Sequence, residues 1–114
     1  MSFWSQLVMP TADELYEAAV NLRDKGDKAA AVEVLKDALK IDPELAIGHG
    51  MIAKLYADLA QAEDAIAHAL RVVELEPNDT FSYTALSVIY QRCGRIPEAE
   101  EAKARAFNLQ HGLE

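Results

Sequence analysis

Apolar residues recur along the chain at helical intervals and stop at regular places. The first stripe runs through Leu15, Ala18, Ala19 and Leu22, a spacing that gathers side chains on one face of a helix. Thr11 followed by Glu14 predicts a capping box at the start of that helix, and Gly26 predicts its end. A second stripe begins near Asp27, carries Ala31, Val32, Leu35, Ala38 and Leu39, and stops at Asp42-Pro43. The two-part pattern returns as Ile52, Ala53 and Tyr56, then Ala65, Ile66, Ala69 and Val72. It returns again as Leu86, Ser87 and Tyr90 up to Gly94, then Ile96, Ala99, Ala106 and Phe107. Pro97 falls in the first turn of the last stripe, where a helix does not need the missing N–H. The expectation is six helices of about a dozen residues each.

The recurrence has a fixed step of 34 residues, the separation of Pro43 from Pro77. The same step aligns Ala31, Ala65 and Ala99; the small residues Ala19, Ala53 and Ser87; and the bulky residues Leu22, Tyr56 and Tyr90. Gly26, Ala60 and Gly94 align at a turn. A period of this length marks a repeat architecture in which one helix pair is the unit. The units are 12–45, 46–79 and 80–113, preceded by an apolar arm at 1–11.

Composition supplies the reason for the small positions. Alanine accounts for 20 of 114 residues, and aromatics for only 7% of a chain that is 51% hydrophobic. Antiparallel helices approach closely only where facing side chains are small, so the aligned Ala and Ser positions are expected at the seam within each pair. One such pair cannot bury its apolar face, whereas three stacked pairs form a continuous core. A net charge of −8 argues against a nucleic-acid partner, and the single cysteine excludes a disulfide framework or a thiolate zinc site within the chain. Apolar stretches are broken by charge well short of a membrane span, and Met1 to Pro10 lacks the basic region of a signal peptide. The expected setting is cytoplasmic. Leu113-Glu114 resembles an appended pair and carries no weight.

A 34-residue helix-turn-helix of this kind resembles the tetratricopeptide repeat. The family pattern places an aromatic, Leu-Gly and Tyr on the first helix, then Ala, Phe and Ala on the second, then Pro. Those positions read Leu15, Ala18-Ala19, Leu22, Ala31, Leu35, Ala38 and Pro43 in the first unit. They read His49, Ile52-Ala53, Tyr56, Ala65, Ala69, Val72 and Pro77 in the second. In the third they read Tyr83, Leu86-Ser87, Tyr90, Ala99, Lys103, Ala106 and His111. His49 in place of the aromatic is expected to loosen that corner. Lys103 and Glu100 place polar groups on the last helix, as the water-facing end of an array requires. The resemblance implies an all-α fold, a right-handed superhelix (α–α solenoid) of three stacked antiparallel helix pairs.

It also implies a concave groove lined by the first helix of each pair. The residues mapped to it are Tyr16, Val20 and Arg23; Ile47, Met51 and Lys54; and Phe81, Ala85, Val88 and Arg92. Some family members clamp the C-terminal carboxylate of heat-shock chaperones through Lys, Asn and Arg at five such positions. Here the five read Tyr16, Val20, Met51, Phe81 and Ala85, so that partner is not expected. An apolar strip with Tyr16, Met51 and Phe81 as anchors, flanked by Arg23, Lys54 and Arg92, suits an apolar peptide or helix. Val20, Ala85 and Val88 fit packing between repeats equally well. The expected role is a protein-interaction adaptor.

A second reading is a self-assembly module. Phe3, Trp4 and Leu7 make a short amphipathic turn that either lies over the first repeat or enters a neighbouring copy, while Ile96 and Phe107 leave the last helix partly apolar. Chemistry is sparse. His49, His68 and His111 show no paired i,i+4 ligand motif, Cys93 beside Gly94 reads as a packed small residue, and there is no phosphate loop or nucleophile elbow. No enzyme activity, cofactor or metal is expected.

Overall fold

A computed structural model describes residues 8–114. Among them lie six helices and no strand: α1 (Ala12–Asp24), α2 (Lys28–Ile41), α3 (Ala46–Asp58), α4 (Ala62–Leu75), α5 (Thr80–Arg92) and α6 (Ile96–Gln110). The chain divides into two compact units, Met1–Pro43 and Glu44–Glu114. In the first, α1 packs on α2. In the second, α3 packs on α4 and α5 on α6, with α5 also against α4 and α3. The all-α helical-repeat fold expected from the sequence is the fold observed.

Local signals set the boundaries. Thr11 Oγ1 accepts from the Glu14 amide at 3.1 Å, and the Thr11 amide donates to Glu14 Oε1 at 3.0 Å, a complete capping box. Asp27 caps α2 by accepting from the Ala30 amide at 3.1 Å. Pro97 sits in the first turn of α6. The turn within each pair is built alike. The amide of Asp27 reaches Leu22 O, that of Gln61 reaches Tyr56 O, and that of Arg95 reaches Tyr90 O, at 2.9, 2.8 and 2.8 Å. This six-to-one bond closes a helix only when the residue before the donor takes positive φ. Gly26 and Gly94 do so at 88° and 76°, and Ala60 does so at 61° despite its Cβ.

The aligned small residues lie inside. Ala19, Ala31, Ala53, Ala65, Ser87 and Ala99 are all buried. Ser87 shows the closeness of the seam directly: its hydroxyl donates across the α5–α6 pair to Ala99 O at 2.9 Å. Leu35, Ile52 and Leu55 are the largest fully buried side chains. On α1 one stripe position differs from expectation. Ala18 is exposed and Ala12 takes the buried place a turn and a half earlier. On α6, Glu100 and Lys103 are exposed where Val32 and Leu35 of α2, and Ile66 and Ala69 of α4, are buried; Ala102 turns inward instead. Among the described residues no helix packs on that face of α6, so the polar residues meet water.

Candidate partner-binding face

Helix α5 presents two opposite faces. Ser82, Leu86, Ser87 and Ile89 are buried, whereas Phe81, Thr84, Ala85, Val88 and Arg92 are exposed, three or four residues apart along one stripe. Phe81 is 81% exposed and Val88 is 49% exposed, an unusual outlay of apolar surface for one short helix. Ile47 of the neighbouring α3 is 57% exposed, and Lys54 of α3 is exposed with no anionic partner among the described residues. At the far end of the stripe, Arg92 pairs with Asp58 of α3, 34 residues earlier and therefore at the equivalent place in the preceding repeat.

The helix start that aims Phe81 is held by a polar cluster. Asp79 caps α5, its Oδ1 accepting from the Phe81 amide at 3.1 Å and its Oδ2 from the Ser82 hydroxyl at 2.9 Å. The Ser82 bond holds the Asp79 carboxyl below the usual aspartate range; partial burial opposes this and the Phe81 amide adds to it.

Several residues read from the sequence as contacts stand differently. Met51 is buried, at 6% exposure, because it falls on the face of α3 that packs inward; it is core and not a presented anchor. Arg92 is engaged with Asp58, and Arg23 with the adjacent Asp24 at 3.1 Å, so neither is an uncommitted flanking cation. Tyr16 and Val20 are half-buried on α1 and Arg23 is exposed there. Ala85 and Val88 are exposed on α5. On α6, Ile96 and Phe107 are about half exposed, at 50% and 54%, and the His111 ring stacks on Phe107 with centroids 4.1 Å apart. Phe3, Trp4 and Leu7 lie outside the described residues.

The sequence missed one cluster altogether. His49, at the position where an aromatic was expected, is buried and faces His68 of α4, with Nδ1 to Nδ1 at 2.9 Å and ring centroids 5.1 Å apart. Tyr56 stacks on His68 at 5.7 Å. The corner expected to be loose is filled by three rings. A bond between two Nδ1 atoms needs one as donor and the other as acceptor, so the two imidazoles take opposite tautomers when neutral. The 19-residue separation across two helices gave no motif to find. Among the described residues no group of three or more His, Cys, Asp or Glu could hold a metal ion, and no helix is long and apolar enough to cross a membrane.

Comparison with known proteins adds the family. The model of the tetratricopeptide repeat matches residues 12–45 and 48–79. Among solved structures, one of MamA superposes with a TM-score of 0.81 at 18% identity, covering 90% of this chain and 60% of that one. YrrB, described as a TPR protein with an unusual peptide-binding site, gives 0.80 at 18% identity over 90% of this chain and 53% of its own. The second TPR of Spaghetti (RPAP3), bound to an HSP90 peptide, gives 0.77 at 15% identity over 87% and 92%. The chain thus spans little more than half the length of the MamA and YrrB chains it matches. At these identities the likeness is one of fold.

Proposed function

The chain belongs to the tetratricopeptide repeat family, and from that premise we propose that it is an interaction adaptor whose partner lays an apolar peptide or helix along the α3–α5 face. The observation that carries this reading is the exposure of Phe81, with Val88 and Ile47 beside it, on two adjacent first helices of their pairs. A phenyl ring left in water is a large unfavourable surface; covering it returns about 25 cal/mol for each Å² of apolar area. Two solved relatives in fold are described with peptides or a peptide-binding site, which supports the same class of partner. The positions that would grip a terminal carboxylate hold Tyr16, Val20, Met51, Phe81 and Ala85, none of them cationic. The partner's contacts with this chain are therefore apolar, with Lys54 as the available charge at the margin.

Phe81→Asp with Val88→Asp tests the face. Both side chains are exposed, so circular dichroism and melting temperature should stay near wild type. The partner retained by wild-type protein from native extract should be lost by the double variant and kept by Lys103→Glu on α6. A folded double variant that retains the partner normally overturns the reading.

A self-assembly role draws on a different observation, the half-exposed Ile96 and Phe107 on α6. In that reading residues 1–7 of one copy, with Phe3, Trp4 and Leu7, cover the α6 face of another.

A further inference from the structure

On the side of α5 opposite the apolar stripe, helices α4, α5 and α6 enclose a cleft of 430 Å³. Its floor is apolar: Val73, Leu86 and Ala102 are buried, and Leu70 forms the edge. Two tyrosines, Tyr83 and Tyr90, supply aromatic surface, and two carboxylates of α6, Glu98 and Glu101, stand at the wall. These acids are not equivalent. Glu98 is engaged by Arg95 at 3.6 Å, whereas Glu101 is exposed with no cationic partner among the described residues. At the other end Arg105 lies over the Tyr83 ring, 5.3 Å from its centroid, and pairs with Glu114. The cleft therefore already holds one guanidinium against an aromatic face, and keeps one carboxylate, Glu101, outside any ion pair among the described residues.

We infer that this cleft binds a guanidinium or ammonium group carried on an aromatic or alkyl stem, as presented by a basic amphipathic peptide. The stem covers Leu86, Val73 and Ala102, and the cation meets Glu101 beside the Tyr90 ring. A carboxylate accepts a guanidinium through two parallel hydrogen bonds, and the ring face attracts the same charge. The alternatives are less favourable on the same surface. An anion would be repelled by Glu98 and Glu101, and a neutral apolar group would cover the Glu101 carboxylate without compensating it. The chain's net charge of −8 attracts a basic ligand from a distance. This surface is separate from the α3–α5 face, so neither proposal depends on the other.

Phenethylguanidinium is the probe, with phenethylurea as its neutral counterpart of nearly the same shape. In heteronuclear NMR titrations the guanidinium should give saturable shifts at Leu86, Tyr90 and Ala102, and the urea should bind about tenfold more weakly, the loss expected for one charge-assisted contact. Glu101→Gln should bring the guanidinium down to the urea's affinity, and Glu98→Gln should weaken it less because Arg95 already holds that carboxylate. Equal affinity for the two probes overturns the inference, as does saturable binding that maps only to Phe81 and Val88. Cleft signals that shift with protein concentration alone, and cease to shift when residues 1–7 are deleted, would make the occupant a second copy of this chain and also overturn it.

Discussion

Ala60 is the clearest case of a residue at odds with its backbone. Its φ of 61° is shared with Gly26 and Gly94 at the equivalent turns, where the missing Cβ removes the clash with the following carbonyl. A left-handed non-glycine residue costs about 1–2 kcal/mol, and the extra freedom of glycine in the unfolded chain returns about 0.4–1 kcal/mol of that. Ala60→Gly should therefore stabilise the protein by roughly 0.5–1 kcal/mol, read as a higher urea midpoint at unchanged slope. Gly94→Ala should shift the midpoint the other way; its Cβ position is sterically open, so the effect reports backbone conformation alone. The two glycines made the turn readable from sequence, and the 34-residue step extended it to Ala60. Exposure at single positions was less readable. Met51 and Phe81 are both large apolar residues on first helices, yet one is core and one is in water. Which side of a stripe faces inward depends on the neighbouring helix, and a sequence pattern fixes that only to within a residue or so.

Asp79 carries a second prediction at the same scale. As the α5 cap, its loss in Asp79→Ala should cost about 1 kcal/mol at neutral pH. Its folded-state pKa is lowered, so the carboxylate's contribution is present above the ordinary aspartate value of about 3.9 and disappears as pH falls through the lower folded value. Wild type and Asp79→Ala should differ in urea midpoint near neutrality and converge in acid well below pH ~3.9. Ser82→Ala should narrow the pH window by raising the folded pKa, because the hydroxyl is the main cause of its depression.

At the scale of elements, helix ends and the seams within pairs were legible because each depends on residues close in sequence or one period apart. Thr11 and Glu14 are three apart, and Ser87 and Ala99 hold the places of Ala19 and Ala31. The His49–His68 contact obeys no such rule. It joins two helices at a position where the repeat pattern calls for an aromatic, and only the packing of α3 on α4 reveals that the second imidazole completes it. The head-on Nδ1 geometry has a spectroscopic consequence. Nitrogen-15 correlation spectra of the imidazoles, taken where both are neutral, should show one ring protonated at Nδ1 and the other at Nε2. His68→Ala should release the tautomer preference of His49 and cost stability, since it leaves a buried ring nitrogen without this hydrogen-bond partner, a loss of about 1–3 kcal/mol. Two rings of the same tautomer in the wild type would contradict the bond.

At the scale of the whole molecule, the two proposed surfaces differ in charge, and that separates the proposed activities experimentally. Ion pairs such as Lys36 with Glu33 and Arg71 with Glu74 lie on exposed surface, where each contributes little. The α3–α5 face is apolar at Phe81, Val88 and Ile47, and its neighbouring Arg92 and Asp58 neutralise each other. The α4–α6 cleft carries the uncompensated Glu101. Raising salt from about 0.05 to about 0.5 M shortens the Debye length from beyond 10 Å to roughly 4 Å, which screens exposed charges while leaving apolar burial intact. Binding of an apolar peptide to the α3–α5 face should hold or strengthen over that range, and phenethylguanidinium in the cleft should weaken several-fold. Self-assembly through the arm follows a third course: light scattering should show a mass that grows with protein concentration, survives the added salt because its contacts are apolar, and falls to the monomer when residues 1–10 are removed or Phe107 is replaced by Asp. A constant monomeric mass before and after that removal excludes the arm.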